Sequence, residues 1–119
     1  MGQYFKIVNL DKKEYIHPHS LGYGAKFWEI CANDIARLLP YLLRKSNETG
    51  GGDIEVEPSE LKYCGRWAGD RIVVIGDYDS SGLYDEVKKK GWKDISVGVA
   101  KEFNEFIGDD DLKVIIPTC

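Results

Sequence analysis

Long apolar runs are missing from this 119-residue chain. The two longest, Ile72 to Ile75 and Val114 to Ile116, fall far short of the roughly 20 residues that cross a bilayer, so no transmembrane helix is expected. Met1-Gly2-Gln3-Tyr4-Phe5-Lys6 contains no basic region leading into an apolar stretch, and Lys6 stands where a myristoylation signal needs Ser or Thr. Neither a secretory leader nor a lipid anchor is predicted, and the expected location is the cytoplasm. Cysteine is scarce too. Cys31, Cys64 and Cys119 are odd in number and widely spaced, which excludes a disulfide framework and a paired zinc pattern and predicts reduced thiols. Positive charge is also short: 16 basic against 20 acidic residues leave a net charge of −4, which argues against a nucleic-acid partner held through its phosphates.

What is present suffices for one core. Hydrophobic residues make up 43% and aromatics 12%, enough to exclude global disorder, and the length suits a single domain. Tyr4 to Leu10 and Glu14 to Ile16 are β-rich around a polar Asp11-Lys12-Lys13 turn and read as a hairpin. From Ala25 to Lys45, Phe27, Cys31, Ile35, Leu38 and Leu42 recur at helical spacing. Pro40 and the Asn33-Asp34 cap signal predict a kink or two helices, the second over about Asp34 to Arg44. Ser46 to Asp53, with three consecutive glycines, is a loop and lacks the lysine a phosphate-binding loop requires. Ile54 to Glu57 suits a short edge strand.

Arg71 to Ile75 is the clearest strand and, β-branched at four successive positions, reads as central and covered on both faces. Leu83 to Lys90 and Val97 to Ile107 are predicted helices, the second capped by Ser96. Leu112 to Ile116 is predicted as a last strand. The expected fold is therefore α+β, a single small domain over residues 1–119 with a mixed or antiparallel sheet packed against two or three helices.

Chemistry is concentrated in Asp77-Tyr78-Asp79-Ser80-Ser81-Gly82, after the strongest strand. Asp, Ser and Gly reverse chains and cap helices, so a solvated turn is the plain reading. Two carboxylates one residue apart also suit Mg²⁺ or Ca²⁺. As a calcium loop, Asp77, Asp79 and Ser81 take the first, third and fifth ligand positions. Lys88 then stands where a bidentate glutamate belongs, leaving Asp85 or Glu86 to substitute. The strand followed by D-x-D-x-x-G is also similar to the Mg²⁺ motif of Toprim domains. That resemblance implies Asp77 and Asp79 as metal ligands, Glu29 as the upstream glutamate, and phosphoryl-transfer or nucleic-acid-processing chemistry. Glu29 departs from it, because that family's glutamate ends a strand of a parallel sheet and Glu29 lies in a helical pattern. A haloacid-dehalogenase-like reading of Asp77 and Asp79 fails because too few residues follow Gly82.

Two other places offer binding groups. His17 and His19 flank Pro18 at a strand exit, and Gly65-Arg66-Trp67-Ala68-Gly69 reads as a loop displaying an Arg-Trp pair. Over most of its length the chain resembles a family of small bacterial and phage proteins with no assigned activity. The resemblance rests on Asn9-Leu10-Asp11-Lys12-Lys13-Glu14-Tyr15, Pro18-His19, Gly65 to Arg71, Gly76-Asp77-Tyr78 and Asp94-Ile95-Ser96. In that family the second aspartate of the acidic loop is less typical, and no catalytic residue carries over.

The leading expectation is a non-catalytic accessory or interaction protein, without cofactor, that meets a protein partner through Arg66, Trp67, His17 and His19. Its alternatives are a divalent-metal-dependent Toprim-like enzyme using Asp77, Asp79 and Glu29 with Mg²⁺, and a Ca²⁺-binding loop protein.

Overall fold

The hairpin residues build the centre of the molecule. The structure, a computed structural model, describes residues 2–52, 54 and 60–117. β1 (Phe5–Asn9) and β2 (Glu14–Ile16) pair antiparallel, with Ile7 opposite Ile16 and Asn9 opposite Glu14. Asn9 shapes the turn, its Oδ1 accepting the amides of Asp11 at 2.9 Å and Lys12 at 2.8 Å. β3 (Ile72–Gly76) lies antiparallel on the other side of β1, and β4 (Lys93–Asp94) runs parallel to β2. The four-stranded mixed sheet has the order β3-β1-β2-β4.

Strand alternation then assigns the two faces. Phe5, Ile7, Ile16, Ile72 and Val74 join the main core, with Leu21, Ile35, Leu38, Leu42, Trp67, Val99 and Phe103. Val8, Val73 and Ile75 face the other way and pack with Val87, Leu83 and Tyr84 of α3 (Leu83–Lys89). β3 is thus covered on both faces as its composition predicts, yet it is an edge strand and not a central one. The hairpin gives β1 two partners, β2 and β3, and leaves β3 pairing with β1 alone.

The helical stretch over Ala25 to Lys45 is broken into two helices, as the Asn33-Asp34 signal predicts. α1 (Phe27–Ala32) ends at Asn33, whose Oδ1 accepts the Ile35 amide at 3.1 Å, a 3₁₀ turn follows over Asp34–Arg37, and α2 spans Leu38–Leu43. Pro40 therefore falls in the first turn of α2, where a missing N–H breaks no helical bond. Phe27 and Cys31, expected on the buried stripe, are exposed, and Ile30 turns inward instead. α4 covers Ser96–Ile107, with Ser96 inside the helix and not ahead of it.

Leu112 to Ile116 does not join the sheet. The Asn104 side chain imitates a strand partner, its Nδ2 donating to the Val114 carbonyl and its Oδ1 accepting the Val114 amide, both at 2.8 Å. The Ile115 amide donates to the Tyr23 hydroxyl at 2.8 Å. With these peptide groups satisfied by side chains, the position beside β2 is filled by β4. Of the edge strand expected over Ile54 to Glu57, only Ile54 lies within the described residues, and Cys119 lies outside them.

Candidate functional site

The five-residue loop expected to display Arg66 and Trp67 faces inward. Amides of Gly65 and Trp67 donate to the carbonyls of Tyr41 and Leu42, each at 2.9 Å, which satisfies the end of α2. Gly65 holds φ +73°, and a Cβ there would stand 2.7 Å from the Arg44 carbonyl oxygen. This anchoring drives Trp67 into the core at 0% exposure, so the expected aromatic display is corrected: its ring is unavailable to a partner. Its Nε1 donates to Glu14 Oε1 at 2.8 Å, and Arg66 donates to both Glu14 oxygens from Nε at 3.0 Å and to Oε2 from its Nη2 at 2.5 Å. Burial pushes the Glu14 carboxyl up, but the Arg66 and Trp67 hydrogen bonds outweigh it and hold the group below its ordinary range. Arg66 and Trp67 thus lock the hairpin to the α2 end.

The acidic candidates do not converge. Glu29 turns back to accept the Lys26 amide at 3.1 Å and closes over Gly24, where a Cβ would stand 2.0 Å from its Oε2. Asp77 Oδ1 accepts the Tyr4 amide at 3.0 Å, and Asp79 Oδ2 accepts both the amide and the hydroxyl of Ser81. Glu29 closes a helix cap and Asp79 its own turn, while Asp77 holds the residue that leads into β1. Among the described residues no three His, Cys, Asp or Glu side chains are grouped to hold a metal ion.

The strand exit is where chemistry gathers. A short 3₁₀ turn, Pro18–Leu21, buries Pro18 and Leu21 and leaves His19 outside. His17 and His19 stack at 4.9 Å between centroids, and Tyr4 meets His19 edge-on at 5.4 Å. The His19 amide donates to His17 Nδ1 at 3.3 Å, so the neutral His17 ring carries its proton on Nε2. The His17 amide in turn donates to Ser96 Oγ at 2.9 Å, which ties the strand exit to α4.

This segment borders two hollows. On one side Gly22, Tyr23 and Gly24 line a groove of about 380 Å³ with Trp28, Glu29, Ala32 and Asn33. Beside it α1 exposes Phe27 at 56% and Trp28 at 66%. On the other side His17 and Ser20 line a cleft of about 370 Å³ with Lys6, Tyr15, Tyr84, Asp85, Lys88 and Asp94. Of the residues expected to act, His17 and His19 are brought to this segment, whereas Arg66, Trp67, Glu29, Asp77 and Asp79 are spent on structure. Lys6 and the two tyrosines escaped the sequence reading, although alternation places Lys6 on the strand face of Val8, whose apolar side chain is a signal that this face is packed.

Burial, reinforced by the His19 ring and the Lys6 ammonium, pushes the His17 imidazole from 6.5 down to about 4. A depressed folded value means that the unfolded chain takes up a proton first as pH falls. Stability linked to His17 is therefore whole above pH 6.5 and is lost progressively down to about pH 4. The loss is about 3 kcal/mol at most, and water reaching the half-buried ring lowers it. His17→Gln is expected to flatten the melting temperature between pH 6.5 and 4 while leaving the steeper loss below, where Asp11, Glu14 and Asp70 protonate; a fall identical to wild type would show that another group is responsible.

Together the sheet and helices define an α+β domain with two of its hollows at one strand exit. No helix among the described residues is long and apolar enough to cross a membrane. Protein-family models, curated proteins and solved structures all yield no match to this chain.

Proposed function

We propose that the chain is a non-catalytic accessory or interaction protein that receives a protein partner on α1 and the His17 to Gly24 segment. The observation that carries the reading is the adjacent pair Phe27 and Trp28, more than half exposed on a helix that buries only Ile30. Large aromatic rings left in water beside a groove are the usual anchors of a protein interface, because covering them removes apolar area at little cost in side-chain freedom. Glu29 spends its charge on the helix cap, so the groove beside Trp28 receives an apolar side chain without leaving a carboxylate unpaired.

The test is chemical cross-linking in the native host followed by capture, comparing wild type with a Phe27→Ser, Trp28→Ser variant whose fold is checked by circular dichroism. A partner recovered in stoichiometric amount with wild type and reduced at least about tenfold with the variant supports the surface, since losing two aromatic anchors costs more than 1.4 kcal/mol of binding. Equal recovery from both proteins, or recovery of nothing with either, would sink the assignment.

A further inference from the structure

The cleft on the opposite side of the His17 segment carries a separate conclusion. Its floor is Lys6, which β1 points toward α3 and which is 4% exposed. The ammonium has three N–H bonds to place. One goes to the Tyr84 carbonyl at 3.2 Å, and the charge sits 4.1 Å from the centre of the Tyr84 ring and 5.6 Å from that of Tyr15. Among the described residues no carboxylate forms an ion pair with it. A buried cation without a counter-ion is costly, and ring faces and one carbonyl only partly replace water.

The acidic groups of the cleft act on that charge through space, Asp85 and Asp94 both favouring it, but neither contacts it. Asp94 is spent on Ser20 Oγ at 2.5 Å and on the Ser96 amide and hydroxyl at 2.9 and 2.5 Å. Asp85 and Lys88, three residues apart on α3, are exposed at the mouth, where their charges offset one another. The cleft therefore has a balanced rim, a positive floor and aromatic walls. His17 is neutral at pH 7, with its acceptor nitrogen already occupied, and supplies an N–H donor to the lining.

We infer that this cleft binds a small, flat organic carboxylate, whose charge meets the Lys6 ammonium and whose planar body lies against Tyr15 and Tyr84. A carboxylate supplies the missing counter-ion through a charge-assisted hydrogen bond. A larger polyanion such as a nucleotide fits poorly, because its further charges would meet Asp85 and Asp94 in the same lining while only the Lys6 ammonium lies at the floor.

Benzoate is the probe, benzamide its neutral counterpart, and the readout is the ε-CH₂ signal of Lys6 in protein carrying ¹³C-lysine. Burial holds the Lys6 amine below its ordinary range, with Asp85 and Asp94 pulling it up and Lys88 down. A bound anion favours the charged form, so saturating benzoate is expected to shift the Lys6 signal and to raise its titration midpoint. Benzamide should bind at least about tenfold more weakly, the ratio expected when a charge-assisted bond is replaced. Lys6→Met should abolish benzoate binding, and Lys93→Met, outside the cleft, should leave it intact. An unmoved Lys6 signal in wild type, equal binding of benzamide, or undiminished binding to a folded Lys6→Met protein would each overturn the assignment.

Discussion

Trp67→Ala should lower the unfolding free energy by about 3–5 kcal/mol, a large share of the stability of a domain that has about 5–15 to lose. The side chain is fully buried among Ile7, Leu38, Val99 and their neighbours, so truncation opens a cavity in the main core. It also removes the Nε1 donor from Glu14, a carboxylate at 3% exposure that keeps its charge through Arg66 and Trp67. Trp67→Phe separates the two contributions. Phenylalanine keeps most of the apolar burial and loses the hydrogen bond, so its cost should be about 1–3 kcal/mol. Urea unfolding of both variants is the check. A Trp67→Ala protein as stable as wild type would show that the ring does not occupy the core.

Glu102→Ala is the second large loss, about 2–4 kcal/mol, and its cause is polar. One carboxylate on α4 accepts the Tyr41 hydroxyl of α2 at 2.8 Å and three successive amides, Lys62 at 2.7 Å, Tyr63 at 2.9 Å and Cys64 at 3.0 Å. Two helices and the segment leading to the Trp67 loop meet on a single side chain. Burial and the Glu102 bond hold the Tyr41 phenol protonated far beyond its usual range, so it remains a donor throughout the working pH. Glu102→Gln should recover only part of the loss, because its NH₂ faces donors. Hydrogen exchange locates the effect: amides 62–64 should lose protection in Glu102→Ala well before those of β1. Unchanged protection there would show that the carboxylate is not their acceptor.

Both predictions rest on residues that local sequence reading placed differently or passed over. Glycines around Arg66-Trp67 do mark a loop, and Gly65 does adopt the left-handed conformation that favours glycine. Composition carries no information about the direction in which a loop faces. That was decided by the carbonyls of Tyr41 and Leu42, which needed donors at the end of α2 and drew the loop over the core. Glu14 and Glu102 resemble any surface glutamate in sequence, since their partners lie 52 and 40 positions away.

The acidic Asp77 to Gly82 stretch illustrates the reverse case. Its plain reading as a turn matches the structure, with Asp79 closing on Ser81 and Gly82 at φ +84°. The metal readings required Glu29 to arrive from elsewhere, and its capping of α1 gives that carboxylate a local partner instead. Short-range hydrogen bonds form with little loop entropy and so compete well against a distant assembly.

Periodicity and local chemistry determined the elements of this protein: the hairpin and its Asn9 turn, the break at Asn33, β3, α3, α4 and the α+β class. Those features depend on residues a few positions apart, whose preferences the chain carries within itself. Tertiary structure alone decided that β3 lies at the edge, that Asn104 holds the last segment away from the sheet, that Trp67 is core and Trp28 is surface, and that Lys6 ends on the floor of a cleft. Each of these is a competition among partners distant in sequence for one hydrogen-bonding edge or one apolar face, and packing the whole chain at once is what settles it.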